Sequence, residues 1–254
     1  MLGFSLGRGL GGSLGGGGTP SLVNPILAFE DLNIFVDMTN GEKTFDGSEL
    51  TAVAAAAGDL TEINEIEADD HAIWNADAFG GKGGMELLAA TRMQWGTFTS
   101  SPTRSLMFTM EFPDPMPGGA QALSGWLNSS FGSVNSARFT FSIAGRVQYG
   151  INSTSTLVNL SDVIVAGSKH ILLAEFDSGV CNVYLDDFST PFVTFIPNTN
   201  YEPRVRFNLG ALSSSDAAFP ELVYGDVFMK KTWLTEGERT AVFNYYNTYY
   251  ELGL

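Results

Sequence analysis

The sequence predicts an all-β protein, an antiparallel β-sandwich with one C-terminal helix and an extended N-terminal arm. Three observations predict it. Apolar and polar residues alternate in short runs separated by Gly, Pro, Asn and Ser, which is typical of strands with one buried face. A segment near the C-terminus carries a helix-capping pattern. Nine of the first 18 residues are glycine, a composition that no regular element favours.

The arm is assigned to residues 1–25 and the sandwich to residues 26–254. Within residues 1–18 of the arm, apolar side chains recur at even spacing, at Leu2, Phe4, Leu6, Leu10 and Leu14. In an extended segment alternate side chains share a face, so they can enter pockets on a neighbour while the backbone pairs with an exposed sheet edge. The alternative is a flexible tail. We expect the arm to bind another polypeptide.

Local patterns vary through the first third of the sandwich. Alternation over 32–36 predicts a strand, and Asn40-Gly41 predicts a tight turn after it. Residues 48–58 contain four consecutive alanines and favour a helix by propensity. The acidic stretch 60–80 is expected to be irregular.

Alternation becomes regular after residue 105. Further strands are predicted over 106–112, 139–143, 147–149, 155–158, 162–166, 170–176, 183–185 and 205–209. Strands at this spacing, with turn residues between them, indicate an antiparallel sandwich whose apolar faces point inward.

The helix is predicted after residue 235. Thr235 and Glu238 form a capping box, in which each side chain binds a backbone N–H of the other residue. Four residues then recur at helical spacing, Val242, Tyr245, Tyr246 and Tyr249. We expect this helix to lie across the sandwich with its tyrosine rings inward and their hydroxyls in solvent.

The charge balance excludes some partners. With 13 basic and 28 acidic residues the net charge is −15, so neither nucleic acid nor an anionic membrane is an expected partner. No apolar run is long enough to cross a bilayer, and glycines interrupt the N-terminal leucines. We therefore expect synthesis in a cytoplasm without export by the usual signal.

Cysteine and histidine are too scarce for several kinds of site. Cys181 is the single cysteine, which excludes a disulfide framework, and its apolar surroundings predict a small buried side chain. Two histidines exclude a multi-histidine metal site. His71 and His170 have no acidic or serine partner at an interpretable spacing and are interpreted as ordinary hydrogen-bonded residues.

Three segments carry a family resemblance. "KHILLAEFDSGVCNVYLDDFSTPF" (169–192) contains two strands joined by a short turn, and its second strand ends in Asp186-Asp187. "PRVRFNLGAL" (203–212) and "YGDVFMKKTWLTEGERTAVFNYYNTYYEL" (224–252) supply a further strand, the closing strand and the helix. Together they resemble concanavalin A-like, laminin G-like jelly-roll domains of tailed phages, with Asp187 where glycine is usual.

The resemblance implies a non-enzymatic component of a phage particle. It would be a tail-fibre, tail-tip or capsid-decoration protein, assembled in the host cytoplasm. The arm would attach it to other virion proteins and to copies of itself. The competing interpretation is a carbohydrate-binding module for host-surface glycan, and a glycoside hydrolase comes third.

The resemblance also suggests residues to inspect. Jelly-roll glucanases carry two glutamates around an aspartate on one strand, and Glu62, Asn64 and Glu67 partly match them, although asparagine replaces the aspartate. We therefore expect no catalytic site and no cofactor. Calcium is a weaker alternative, with oxygen ligands from Asp69, Asp70, Asp77, Asp186 and Asp187. Glycan contact would involve Trp74, Trp95 and Trp126, although core or interface packing is the favoured interpretation of these tryptophans.

Overall fold

The computed structural model describes residues 22–65, 72–88, 92–95, 103–116, 121–127, 138–141, 146–151, 154–159, 164–177, 180–195, 206–210 and 221–254. A 3₁₀ turn at Pro25–Ala28 precedes the first strand. The first eight strands are β1 (Leu32–Val36), β2 (Lys43–Asp46), β3 (Glu49–Ala54), β4 (Glu62–Glu65), β5 (Ala72–Asn75), β6 (Gly84–Leu87), β7 (Arg92–Trp95) and β8 (Arg104–Glu111).

The remaining strands follow in chain order. They are β9 (Gln121–Leu127), β10 (Arg138–Phe141), β11 (Arg146–Ile151), β12 (Thr154–Asn159), β13 (Lys169–Phe176), β14 (Cys181–Leu185), β15 (Val193–Phe195), β16 (Arg206–Gly210) and β17 (Val223–Lys230). Two helices complete the described residues: a single turn α1 (Ala78–Gly81) and the longer α2 (Glu236–Tyr249).

Antiparallel pairing arranges the strands in two layers. One layer, here the helix-side sheet, has the order β1-β17-β8-β13-β14-β15. The other, here the open sheet, has the order β2-β3-β4-β7-β16-β9-β10-β11-β12. Strands β5 and β6 pair with each other and connect the two layers. Strand β5 also pairs with β3 of the open sheet, and β6 also pairs with β17 of the helix-side sheet.

The main core lies between the two sheets. The helix-side sheet contributes Phe108 and Leu172, and the open sheet contributes Val53, Ile63 and Leu209, all of them buried. The face-to-face contact of apolar surfaces makes the molecule a β-sandwich. This confirms the predicted all-β sandwich with a C-terminal helix.

A second core lies between the helix-side sheet and α2. Phe35, Ile171 and Phe228 from the sheet pack against Val242 and Tyr246 of the helix. Thr235 caps α2 through the predicted box: Glu238 N donates to Thr235 Oγ1 at 3.2 Å, and Thr235 N donates to Glu238 Oε2 at 2.6 Å.

The prediction for the tyrosines of the C-terminal helix is correct for the rings but wrong for the hydroxyls. The rings of Tyr246 and Tyr250 point inward, but their hydroxyls do not reach solvent. Both hydroxyls donate to Asp226, a carboxylate buried beneath the helix. A buried phenol needs a hydrogen-bond partner, and β17 supplies it.

Two other predictions about local structure are wrong. Most of the segment predicted as a helix at 48–58 is strand β3, because pairing with β2 and β4 and burial of Leu50 and Val53 override alanine's helix propensity. The stretch 60–80 is not irregular throughout, since it contains β4, β5 and α1.

The strand predicted over 162–166 is also wrong where the structure describes it. Residues 164–167 form a turn, in which Ser168 N donates to the Val165 carbonyl at 3.1 Å. Cys181 is buried in the main core, as predicted.

Candidate functional site

A row of amide residues crosses the open sheet on the face opposite the core. Asn64 of β4 pairs with Gln94 of β7, and Gln94 pairs with Asn208 of β16. Directly paired residues of antiparallel strands share a face of the sheet. Asn64 is exposed and Gln94 is partly exposed, whereas Ile63, one residue along β4, is buried in the core.

The positions that flank this amide row are small. Asn64 also pairs with Ala52 on β3, and Asn208 also pairs with Gly125 on β9. Beyond Gly125 the register continues through Arg138 and Gly150.

The chemistry of the amide row suits a polyhydroxylated ligand. Each amide offers two N–H donors and a carbonyl acceptor without net charge. A sugar hydroxyl also donates and accepts, and neighbouring strands lie about 4.8 Å apart, so successive amides can meet successive groups of a chain that crosses the strands. The row spans three strands and thus offers more than one such contact.

An acidic cavity lies at a second place, beside α1. It has a volume of about 340 Å³ and includes five carboxylate residues in its lining, Asp77, Glu86, Glu111, Asp114 and Glu221. Two of these carboxylates have protein partners. Asn75 Nδ2 donates to Glu86 Oε2 at 2.8 Å, and the backbone N–H of Phe79 donates to Glu111 Oε2.

The predicted calcium ligands do not form a common cluster. Asp77 lines the acidic cavity, Asp186 contacts His170, and Asp187 Oδ1 accepts from Ser189 N at 2.8 Å. Hydrogen bonds from the side chain of Ser189 and then from its backbone hold the pKa of Asp187 below its usual value. Asp69 and Asp70 lie outside the described residues. Within the described ranges no three His, Cys, Asp or Glu side chains converge well enough to hold a metal ion. Calcium therefore stays a prediction without a site in this part of the chain.

Ser168, His170 and Asp186 form a connected trio. Ser168 Oγ lies 2.7 Å from His170 Nε2, and His170 Nδ1 lies 2.6 Å from Asp186 Oδ2. The expectation that His170 has no acidic or serine partner at an interpretable spacing is wrong, whereas its interpretation as an ordinary hydrogen-bonded residue is confirmed. The serine is two residues away. The aspartate directly follows the neighbouring strand β14, so only the pairing of β13 with β14 brings it close.

The trio has the connectivity of a serine hydrolase, but its serine is otherwise engaged. Ser168 Oγ lies 2.6 Å from the Val165 carbonyl oxygen, so the hydroxyl proton is donated there. It also accepts from Val165 N at 3.1 Å. A nucleophilic serine must give its proton to the histidine, so these bonds describe a clamp that joins the 164–168 turn to β13.

Asp186 completes this clamp from the other side. It adopts a left-handed conformation with φ 58°, and its Oδ1 accepts from Ile171 N at 3.0 Å. Its own N–H donates to the Ile171 carbonyl at 3.0 Å. The turn after β14 is thereby fixed to β13 at two points, which is a structural role.

The three tryptophans belong to three different strands, β5, β7 and β9. Trp74 is partly buried on β5, and Lys43 Nζ lies 4.1 Å from its ring centroid. Trp95 of β7 pairs with Ile63 and Phe207, and Trp126 of β9 pairs with Phe207. Both positions therefore share the register row of the buried Ile63, on the face opposite the amide row. A glycan contact by these tryptophans stays a prediction.

Two further sets of predicted residues are only partly described. Glu62 lies on the exposed face of β4, two residues from Asn64, while Glu67 lies outside the described residues. The arm residues Leu2, Phe4, Leu6, Leu10 and Leu14 also lie outside them, as does His71. No helix in the described part of the chain is long and apolar enough to span a membrane.

No protein-family model matches this chain, and no curated protein matches its sequence. Solved structures do match. A Trypanosoma rangeli sialidase aligns with a TM-score of 0.58 and 11% identity over 85% of this chain and 33% of its own length. The botulinum neurotoxin serotype D binding domain aligns with a TM-score of 0.58 and 7% identity over 84% of this chain and 51% of that structure.

A third match is similar to this chain over nearly its whole length. Domain 4 of AbnA, an extracellular GH43 arabinanase from Geobacillus stearothermophilus, in complex with arabinotriose, aligns with a TM-score of 0.58 and 14% identity. The alignment covers 85% of this chain and 98% of that domain. At these identities the matches show a shared β-sandwich fold, in agreement with the jelly-roll resemblance.

Proposed function

We propose that this chain is a non-catalytic binding module for a glycan, and that the glycan lies across the amide row on the open sheet. The observation that carries the proposal is the direct register of Asn64, Gln94 and Asn208 on the face opposite the core. Uncharged amides in a row can satisfy the donors and acceptors of several hydroxyls at once.

The fold comparisons support a binding role. One structural neighbour is a neurotoxin binding domain by its title, and another was solved with arabinotriose. Neither shares enough sequence to transfer a ligand, so they support the class of function only. The resemblance to phage jelly-roll domains supports the same class of function, because the ligand expected for such a binding module is a host-surface glycan.

Glycan-array screening of the purified full chain, followed by calorimetry on the best oligosaccharide, tests this proposal. Asn64→Ala and Gln94→Ala should each weaken binding about tenfold. The hydrogen bonds that one such side chain makes to the sugar are expected to contribute about 1.4 kcal/mol to the binding free energy. Asn182→Ala is the matched control, since Asn182 lies on β14 of the helix-side sheet. Absence of binding across the array, or equal affinity in all variants, would contradict the proposal.

Catalysis is not part of the proposed function. Asn64 replaces the central aspartate of the glucanase pattern, so the position that would tune the Glu62 and Glu67 pair carries an amide instead of a carboxylate. Incubation with a glycan panel should release no reducing sugar. Release that is abolished by Glu62→Gln or Glu67→Gln would show an enzyme instead.

We also propose that the module is carried on a phage particle. The glycine-rich composition of residues 1–18, with leucines at even positions, supports attachment through an extended arm. The three segments that resemble phage jelly rolls support the location. Mass spectrometry of purified particles should detect the chain in stoichiometric amount, and its absence from particles would refute the location.

A further inference from the structure

Asp226 is a carboxylate buried at the interface between α2 and the helix-side sheet. Asp226 has 1% of its surface exposed to solvent. The pairing of β17 with β8 is irregular between Tyr224 and Val227, and Gly225 and Asp226 occupy this bulge. A bulge redirects side chains, and here the carboxylate faces the helix.

Three donors from distant parts of the chain converge on Asp226. Met38 N donates to Oδ1 at 2.8 Å, and the Tyr250 hydroxyl donates to Oδ1 at 3.0 Å. The Tyr246 hydroxyl donates to Oδ2 at 3.2 Å. The Tyr250 hydroxyl also accepts from Asp226 N at 3.0 Å. The helix is thus joined to β17, and to the chain that follows β1, through this carboxyl group.

Close packing surrounds the bulge. A Cβ atom added at Gly225 would lie 2.2 Å from Thr109 Oγ1 and 2.8 Å from the Tyr250 hydroxyl oxygen. Thr109 Oγ1 itself donates to the Asp226 carbonyl at 3.4 Å. The site therefore leaves little room for water to solvate a charge on the carboxylate.

The charged and titratable groups around Asp226 do not supply a contacting cation. Asp37 is a second negative charge nearby. Lys43 is the neighbouring cation, but its Nζ donates to the carbonyls of Thr39 and Gly41 at 3.3 and 3.0 Å. From α2 and its C-cap residue the facing groups are Tyr245, Tyr246, Tyr249 and Tyr250. Among the described residues no ion pair includes Asp226.

Burial raises the pKa of Asp226 to about 7, and the nearby Asp37 charge acts in the same direction. In the unfolded chain the ordinary value is 3.8. Between these values the folded state holds a proton that the unfolded state has lost, so the stability from this group falls as pH rises. The loss is complete above about pH 7.

We propose that Asp226 is a pH-sensitive latch for α2, which holds the helix against the sheet when the carboxyl group is protonated and loosens it when the group ionises. The latch belongs to the packing of α2 and is independent of glycan binding. It would make detachment of the helix easier in neutral or alkaline solution than in mildly acidic solution.

Hydrogen exchange of the α2 amides in the full chain tests the latch. In the wild type the protection factor should fall about tenfold per pH unit between pH 5 and pH 7, relative to Asp226→Asn, and should then level off. Asp226→Asn keeps an acceptor for Met38 N and Tyr250 but cannot ionise. Asp46→Asn is the matched control, since Asp46 is exposed on β2, and it should keep the wild-type profile.

Two outcomes would overturn the latch. A wild-type profile parallel to that of Asp226→Asn from pH 5 to pH 8 would show that Asp226 does not titrate in this range. If Asp226→Asn does not fold, Tyr246→Phe decides. It removes one donor from the ionised carboxylate, so the midpoint of the wild-type transition should move to higher pH, and an unmoved midpoint would contradict the proposal.

Discussion

The contribution of a charged side chain to the stability of this protein depends on how completely that side chain is buried. Glu175 on β13 is fully buried, and its Oε1 accepts from Leu234 N at 2.9 Å. Arg239 Nη1 lies 3.2 Å from Glu175 Oε2 and donates to the Leu234 carbonyl at 2.9 Å. These bonds fix the start of α2 to the sheet, and burial raises the pKa of Glu175 above its usual value.

Glu175→Gln should lower the free energy of unfolding by about 2 kcal/mol. The substitution removes a buried, hydrogen-bonded carboxylate charge and leaves the positive charge of Arg239 without that partner. Asp59→Asn is the contrast. Asp59 Oδ2 lies 2.6 Å from Lys231 Nζ, but its side chain is 55% exposed, so the loss should stay below about 1 kcal/mol. Urea unfolding at pH 7 measures both, and equal effects would show that burial does not set the value of these pairs.

Single residues also show where sequence reasoning stops. The burial of Cys181 follows from its apolar neighbours along the strand, which the sequence displays. The partners of His170 do not, because Asp186 approaches through strand pairing across 16 residues. In the sequence Asp226 is one position of the predicted closing strand, and the bulge that turns it toward α2 has no sequence signal except Gly225.

At the scale of elements, α2 is the part that the sequence predicts best. A capping box acts within four residues, so local sequence is sufficient to define it. Strand β3 is the opposite case, because its conformation depends on β2 and β4, which local propensity does not include. The amide row is of the same kind, since its three members come from positions 64, 94 and 208.

The capping box gives a quantitative prediction for this element. Thr235→Ala removes the acceptor for Glu238 N and should lower the free energy of unfolding by about 1 kcal/mol. Thr240→Ala is the control within α2, because Thr240 Oγ1 only donates to the Glu236 carbonyl, and it should change stability by less than about 0.5 kcal/mol. Equal losses in the two variants would mean that α2 does not depend on its cap.

At the scale of the whole molecule, the sandwich and the arm are expected to be separable. Deletion of residues 1–18 should leave the urea midpoint of the sandwich unchanged, because the glycine-rich arm is expected to supply no side chains to the sandwich core. Incorporation of the truncated chain into particles should fall sharply. Normal incorporation would refute the arm as an attachment element, and a lower midpoint would place the arm in the sandwich.

The composition of the arm also predicts which polypeptides it contacts. Apolar side chains on a glycine-rich segment must bury enough surface to offset the entropy of ordering it, and another chain can supply that surface. Particle components meet like neighbours in symmetric arrays, so a homo-oligomer is expected. In an assembled structure Leu2, Phe4 and Leu6 should each contact a different polypeptide, and contacts only with their own sandwich would refute this.

The central claim is that the open sheet binds a glycan through its amide row. A crystal structure of the full chain with the best oligosaccharide from the array tests it most directly. We expect the sugar to lie across β4, β7 and β16, with hydroxyls within hydrogen-bond distance of Asn64 and Gln94. A sugar bound in the acidic cavity beside α1, or at any other surface that leaves the amide row in contact with solvent alone, would contradict the claim.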